Sequence, residues 1–255
     1  MTNVIAIPVR DNFTYLHPCG DGRAFVVDPG DAAAVMQALK QHGLSLTAIV
    51  VTHHHWDHVA GAADLQAQTR CEVIGVGRTL VPAPDRVVAD GNVFALGEVA
   101  VHVMATPGHT RDSMCYYVPA PGGIPGIVYT GDTLFVGGCG RLLEGDAVTM
   151  WQSLQRLTAL PPETLVYCGH DYTLENYEFA VTIDPGGRRF RERLAEVQKA
   201  IEYGQLTVPS TIAQEKATNI FLQAGSAQIR AVLDLPGALP HEVFAQLRSR
   251  KDTFA

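Results

Sequence analysis

The chain has 255 residues, 26 acidic against 19 basic, for a formal charge of −7, and 47% of it is apolar. That balance excludes a general nucleic-acid binder, which needs a basic face to neutralise phosphates. No apolar run reaches the ~20 residues that span a bilayer, and Met1-Thr-Asn-Val-Ile lacks the basic and apolar regions of a secretory leader, so the expectation is a cytoplasmic protein with no membrane partner.

In chain order, short apolar runs near Val4–Ile7, Ala24–Asp28, Thr47–Thr52, Val99–Ala105, Gly126–Thr130 and Thr164–Cys168 read as buried strands, separated by Gly, Pro and Asp turns. Between the second and third, Asp31 to Gly43 carries Val35, Ala38, Leu39 and His42 at helical spacing, opens on Asp and closes on Gly. That predicts an amphipathic helix with both end signals. The mixture indicates an α/β layered domain.

From about Tyr172 the strand-like runs stop, and Phe190, Leu194, Val197 and Ile201 recur at helical spacing among charged residues. Asp184-Pro-Gly-Gly and Leu235-Pro-Gly punctuate this part into short helices, and a last helix is expected over Pro240–Arg250. The predicted division is a domain over 1–171 and a helical one over 172–255. Cys19, Cys71, Cys115, Cys139 and Cys168 are scattered without C-x-x-C spacing, which predicts reduced thiols and no zinc finger. No long coiled-coil pattern or apolar helix face suggests an obligate partner, so a monomer is expected.

The chemistry is concentrated in Ala48-Ile-Val-Val-Thr-His-His-His-Trp-Asp-His58, an apolar strand running into four histidines and an aspartate. Imidazole and carboxylate are ligands of zinc and iron. In extended chain His53 and His55 point the same way and His54 oppositely, which sets His54 aside. Asp57 and His58 can aim at a second point, making the segment a candidate for two metals. Three further predicted strands end in Gly-His109, Gly-Asp132 and Gly-His170. A single such histidine is more often a hydrogen-bonded core residue than a ligand; repetition at strand ends, where glycine permits a sharp turn, favours a metal site. His17, His42, His102 and His241 stand alone and read as core or surface residues.

At these residues the sequence resembles the metallo-β-lactamase superfamily. The resemblance implies an αβ/βα sandwich of two mixed sheets with helices outside, here followed by a C-terminal helical domain. It also implies ligand sets: His53, His55 and His109 for one metal, Asp57, His58 and His170 for the other, with Asp132 bridging. Within the superfamily, Gly131-Asp-Thr-Leu-Phe-Val-Gly-Gly-Cys-Gly-Arg141, Cys168-Gly-His-Asp-Tyr-Thr173, Val208-Pro-Ser-Thr211, Asn219-Ile-Phe221 and Arg248-Ser-Arg-Lys-Asp-Thr-Phe254 are similar to patterns of the glyoxalase II (hydroxyacylglutathione hydrolase) family. That implies glutathione binding by Arg141, Tyr172, Arg248 and Lys251, catalysis at Asp57 and Asp132, and hydrolysis of S-(R)-lactoylglutathione to D-lactate and glutathione. The chain departs from the pattern at Leu143, where an aromatic residue is usual.

The implied chemistry is self-consistent. Two divalent cations (+4), two aspartates (−2) and a hydroxide (−1) leave +1, which welcomes an anionic substrate, and a bound metal lowers the pKa of water from 15.7 to about 7. A thiolate leaves at a conjugate pKa of roughly 8.5 and needs no general acid, unlike a lactam nitrogen. Zinc is the first expectation, with iron and manganese as alternatives. Two rival readings are a persulfide dioxygenase with one iron and a metal-dependent binding module without turnover. Asp28 is read either as a support of the metal rim or as an ordinary turn aspartate before Pro-Gly.

Overall fold

The computed structural model describes residues 4–77, 82–119 and 124–254, so Met1-Thr-Asn of the stretch read for a leader lies outside the described residues. The chain divides into two compact units. One runs to Ala105 and resumes over Asp112–Gly131; the other holds Thr106–Arg111 and everything from Asp132 onward.

In the first unit, β1 (Ile5–Val9), β2 (Asn12–Pro18) and β3 (Arg23–Val27) are antiparallel neighbours. Helix α1 (Ala32–His42) then carries the chain to β4 (Ser45–Val50). Helices α2 (Trp56–Val59) and α3 (Ala62–Thr69) lead to β5 (Glu72–Gly75), followed by β6 (Arg86–Val87). Strands β3 to β6 pair in parallel, which requires these crossovers and makes the sheet mixed. One face is covered by the helices: Leu16, Val26, Ile49 and Val73 pack with Val35, Leu39 and Leu65 in one core.

The other face meets an antiparallel meander of β7 (Val93–Leu96), β8 (Val99–Ala105), β9 (Met114–Val118) and β10 (Ile127–Gly131). Between the layers the Tyr15 and Phe25 rings lie 5.6 and 6.4 Å from that of Tyr129, and Tyr116 Oη donates to the Val51 carbonyl at 2.7 Å. The helix read over Asp31–Gly43 is capped at both ends. Asp31 accepts from Ala34 N, and Gly43, left-handed at φ 63°, returns its N–H to Leu39 and Lys40. Strand β2 carries no sequence signal because Asn, Thr and His interrupt its apolar residues, yet Asn12 through His17 are all buried.

The second unit opens with a hairpin of β11 (Leu134–Phe135) and β12 (Gly138–Cys139). There follow α4 (Ala147–Thr158), β13 (Leu165–Cys168), α5 (Thr173–Ile183) and α6 (Arg188–Glu202). Strand β14 (Ser210–Thr211), α7 (Ile212–Thr218), α8 (Ala227–Val232) and α9 (Pro240–Asp252) complete it. Two of the four apolar positions read in α6, Phe190 and Val197, are fully buried, whereas Ile201, near the helix end, is 46% exposed. Among the described residues no helix is long and apolar enough to cross a membrane.

Candidate metal centre

In the first unit the histidine run follows directly on β4, at the edge of the parallel strands where loops gather. Asp28, at the end of the adjacent strand β3, is 3% exposed and sits at φ 50°, a conformation Asp tolerates better than most residues. Its carboxylate accepts from Thr52 N at 2.8 Å and Thr52 Oγ1 at 2.7 Å, and lies 2.9 Å from His58 Nδ1. A carboxylate only accepts, so the His58 proton is on Nδ1. The Thr52 hydroxyl has given its hydrogen to Asp28, so it accepts from His53 Nδ1 at 2.9 Å. Both rings therefore carry Nδ1–H and present the Nε2 lone pair, the tautomer in which a ligating imidazole is held from behind. Asp28 thus holds Thr52 and His58 by hydrogen bonds as well as preceding the Pro-Gly turn.

His53 Nε2 lies 3.1 Å from His55 Nδ1. His54 turns away to Asp112, at 3.2 Å. Asp57, in α2, is held by Asn12, whose Nδ2 donates to Asp57 Oδ2 at 2.9 Å; the same oxygen is 3.7 Å from His58 Nε2.

In the second unit His109 follows Gly108, which has φ 147° and no room for a Cβ beside Met150. His109 Nδ1 donates to the Arg141 carbonyl at 2.9 Å, which again presents Nε2. That nitrogen and His170 Nε2 each lie 3.4 Å from Asp132 Oδ2. The His170 ring stacks on Tyr172 at 4.9 Å, and Phe135 meets both rings edge-on.

These separations test whether the donors fit a metal. Bonds of about 2.0–2.2 Å at tetrahedral angles put neighbouring ligand atoms roughly 3.3–3.6 Å apart. The pairs His109–Asp132 and His170–Asp132, both 3.4 Å, fall inside that range, while His53–His55 at 3.1 Å and Asp57–His58 at 3.7 Å lie just either side of it, so small side-chain adjustments bring all four to ligating geometry. Burial pushes the Cys168 thiol well above its ordinary range, and all five cysteines are buried and outside any disulfide.

The residues expected to meet substrate all lie in the second unit. Arg141 is exposed and Tyr172 half-buried. Arg248 is 5% exposed: Nη1 donates to the Cys139 carbonyl at 2.8 Å, and Nε and Nη2 reach Asp252 Oδ1 at 3.1 and 3.0 Å. Three of the five N–H groups of that guanidinium are thus engaged within the chain. Lys251 Nζ donates to the Glu175 carbonyl at 3.2 Å beside the Phe254 ring, and burial lowers its pKa, with Arg248 adding to the shift. Asn12 and Thr52 are functional neighbours that the sequence did not reveal, since an isolated Asn or Thr in a strand carries no periodic signal.

Residues 8–170 match the family described as the Metallo-beta-lactamase superfamily, and residues 171–254 match Hydroxyacylglutathione hydrolase C-terminus. The chain is 45% identical over 258 residues to a hydroxyacylglutathione hydrolase of Methylococcus capsulatus, covering 100% of this chain and 99% of the relative. Among solved structures it resembles ETHE1 from Myxococcus xanthus, with TM-score 0.64, 28% identity and 100% of both chains covered. It also resembles TTHA1623 in a di-iron-bound form, with TM-score 0.59, 27% identity and coverage of 86% of this chain and 100% of that one. The fold is the α/β metallo-β-lactamase fold with a C-terminal helical domain.

Proposed function

The chain belongs to the metallo-β-lactamase superfamily and, within it, to the hydroxyacylglutathione hydrolase family, and from that premise we propose that it hydrolyses S-(R)-lactoylglutathione to D-lactate and glutathione. The observation that carries this reading is the donor spacing together with the Nδ1–H tautomers of His53, His58 and His109. By the family resemblance His53, His55 and His109 would hold one divalent ion and Asp57, His58 and His170 the other, with Asp132 in both sets. Zinc suits the imidazole-carboxylate set, as do iron and manganese. When bound, the two ions polarise the thioester carbonyl and make water acidic enough to attack at neutral pH.

The chain's own residues do the rest. Asp57, fixed by Asn12, would accept a hydrogen bond from the attacking hydroxide and orient it; Asp132 lies between two imidazoles. Arg141, Tyr172, Arg248 and Lys251 bind the glutathionyl part, with charge-assisted hydrogen bonds to its two carboxylates. Arg248 is already engaged by the Cys139 carbonyl and sulfur and by Asp252, so it also holds the Cys139 backbone in place. The thiolate departs at a conjugate pKa of roughly 8.5 without a proton donor.

Residues 1–171 serve as the metal-binding domain and 172–255 as the glutathione-binding domain. We take the enzyme to be a cytoplasmic monomer, in keeping with five cysteines outside any disulfide. The persulfide dioxygenase and the non-catalytic module are not favoured, because the full-length relative is a hydrolase. The deciding assay follows loss of lactoylglutathione thioester absorbance alongside oxygen uptake with glutathione persulfide. Thioester turnover that a chelator abolishes and added metal restores is expected; oxygen uptake without thioester turnover would reverse the assignment.

A further inference from the structure

Two runs that carry the family resemblance, Val208-Pro-Ser-Thr211 and Asn219-Ile-Phe221, supply none of the ligands. In the second unit the helix that begins after the first run and ends at the second places two fully buried polar side chains, Glu215 and Asn219, against the β11–β12 hairpin. Glu215 Oε2 accepts from Gly137 N at 2.9 Å. Asn219 Nδ2 donates its two hydrogens to Glu215 Oε2 and the Gly138 carbonyl, both at 2.9 Å, sharing one of them with the Phe135 carbonyl at 3.4 Å. Asn176 Nδ2 donates to the Val136 carbonyl at 3.1 Å, and Arg248 to that of Cys139. Every residue from Phe135 to Cys139 thus has a backbone group gripped by a side chain from the C-terminal helices.

The far side of the hairpin touches the candidate ligands. A Cβ on Gly140 would lie 1.9 Å from the Asp132 carbonyl and 3.1 Å from His109 Nδ1, and the Phe135 ring stands edge-on to His170 at 5.9 Å. Gly140, which follows the hairpin directly, thus packs against the Asp132 backbone and the His109 ring, and Phe135 of the hairpin against the His170 ring.

We propose that Glu215 and Asn219 are positioning residues of the metal centre: through the hairpin they fix Asp132, His109 and His170 at ligating distance. The inference rests on the reading that these three hold metal. Burial raises the Glu215 pKa, opposed by the neighbouring Ser210 and by the hydrogen bonds from Asn219 and Gly137.

The test is zinc titration of the full-length chain against a chromophoric chelator, with melting of the metal-free protein measured in parallel. Asn219→Asp replaces a donor by a carboxylate facing Glu215 and two carbonyls, and is expected to weaken zinc binding about tenfold. Glu215→Gln keeps an oxygen for Gly137 N and the Asn219 amide, and should stay within about twofold of wild type. If Asn219→Asp does not fold, Asn219→Ser is read the same way. A lower melting point with unchanged zinc affinity would overturn the inference, because the clamp would then be structural only. Zinc binding absent from the wild type would instead remove the metal reading on which the inference stands.

Discussion

Asp28 accepts from the Thr52 amide and hydroxyl and from His58 Nδ1, so one buried carboxylate sets the tautomers of His58 directly and His53 through Thr52. Asp28→Asn places an amide N–H₂ among those donors, and metal affinity should fall about 10- to 100-fold in competition with a chelator. Wild-type affinity would show that the rings are held without it. His17 illustrates the opposite use of a histidine. It stacks on Phe25 at 4.7 Å, lies 2.7 Å from Tyr129 Oη, and burial lowers its pKa from 6.5 to about 4. Below pH 6.5 the unfolded chain takes up a proton that folded His17 refuses until about pH 4, so stability falls across that window, by up to roughly 3 kcal/mol. His17→Gln should flatten that part of the stability–pH curve in denaturant melts; parallel curves would contradict it. As the sequence suggested, this isolated histidine is a core residue.

Among the elements, those legible in the sequence are specified locally. Helix α1 is bounded by its own Asp31 and Gly43, and the ligand-bearing turns by glycines at strand ends. Strand β2 and the burial of Glu215 and Asn219 depend on partners far along the chain, which no local period reports: a polar residue on a short helix reads as surface until a distant backbone demands its hydrogen bond. Gly131 shows what the strand-end glycines do. Its φ is 46°, and a Cβ there would stand 2.4 Å from Thr52 Oγ1, the oxygen that holds His53. Gly131→Ala should lower unfolding free energy by about 1–3 kcal/mol, read from the denaturant midpoint, and weaken metal retention. An unchanged midpoint would mean that Thr52 can move without cost.

For the whole molecule, a net charge of −7 does not draw an anionic thioester from a distance, so attraction has to be local. On the proposed reading it would come from two bound cations and from residues such as Arg141 and Lys251. If Lys251 meets the non-reacting glutathionyl part, as proposed, Lys251→Ala should raise KM several-fold while changing kcat less. A matching loss in kcat with KM unchanged would place Lys251 nearer the reacting atoms.

The most direct measurement counts metal and turnover on one preparation: metal-free protein is titrated with zinc while lactoylglutathione hydrolysis is followed. Activity is predicted to climb with added zinc and level off at two equivalents per chain. Hydrolysis at full rate before any metal is added, or none after two equivalents are bound, would contradict a dinuclear thioesterase.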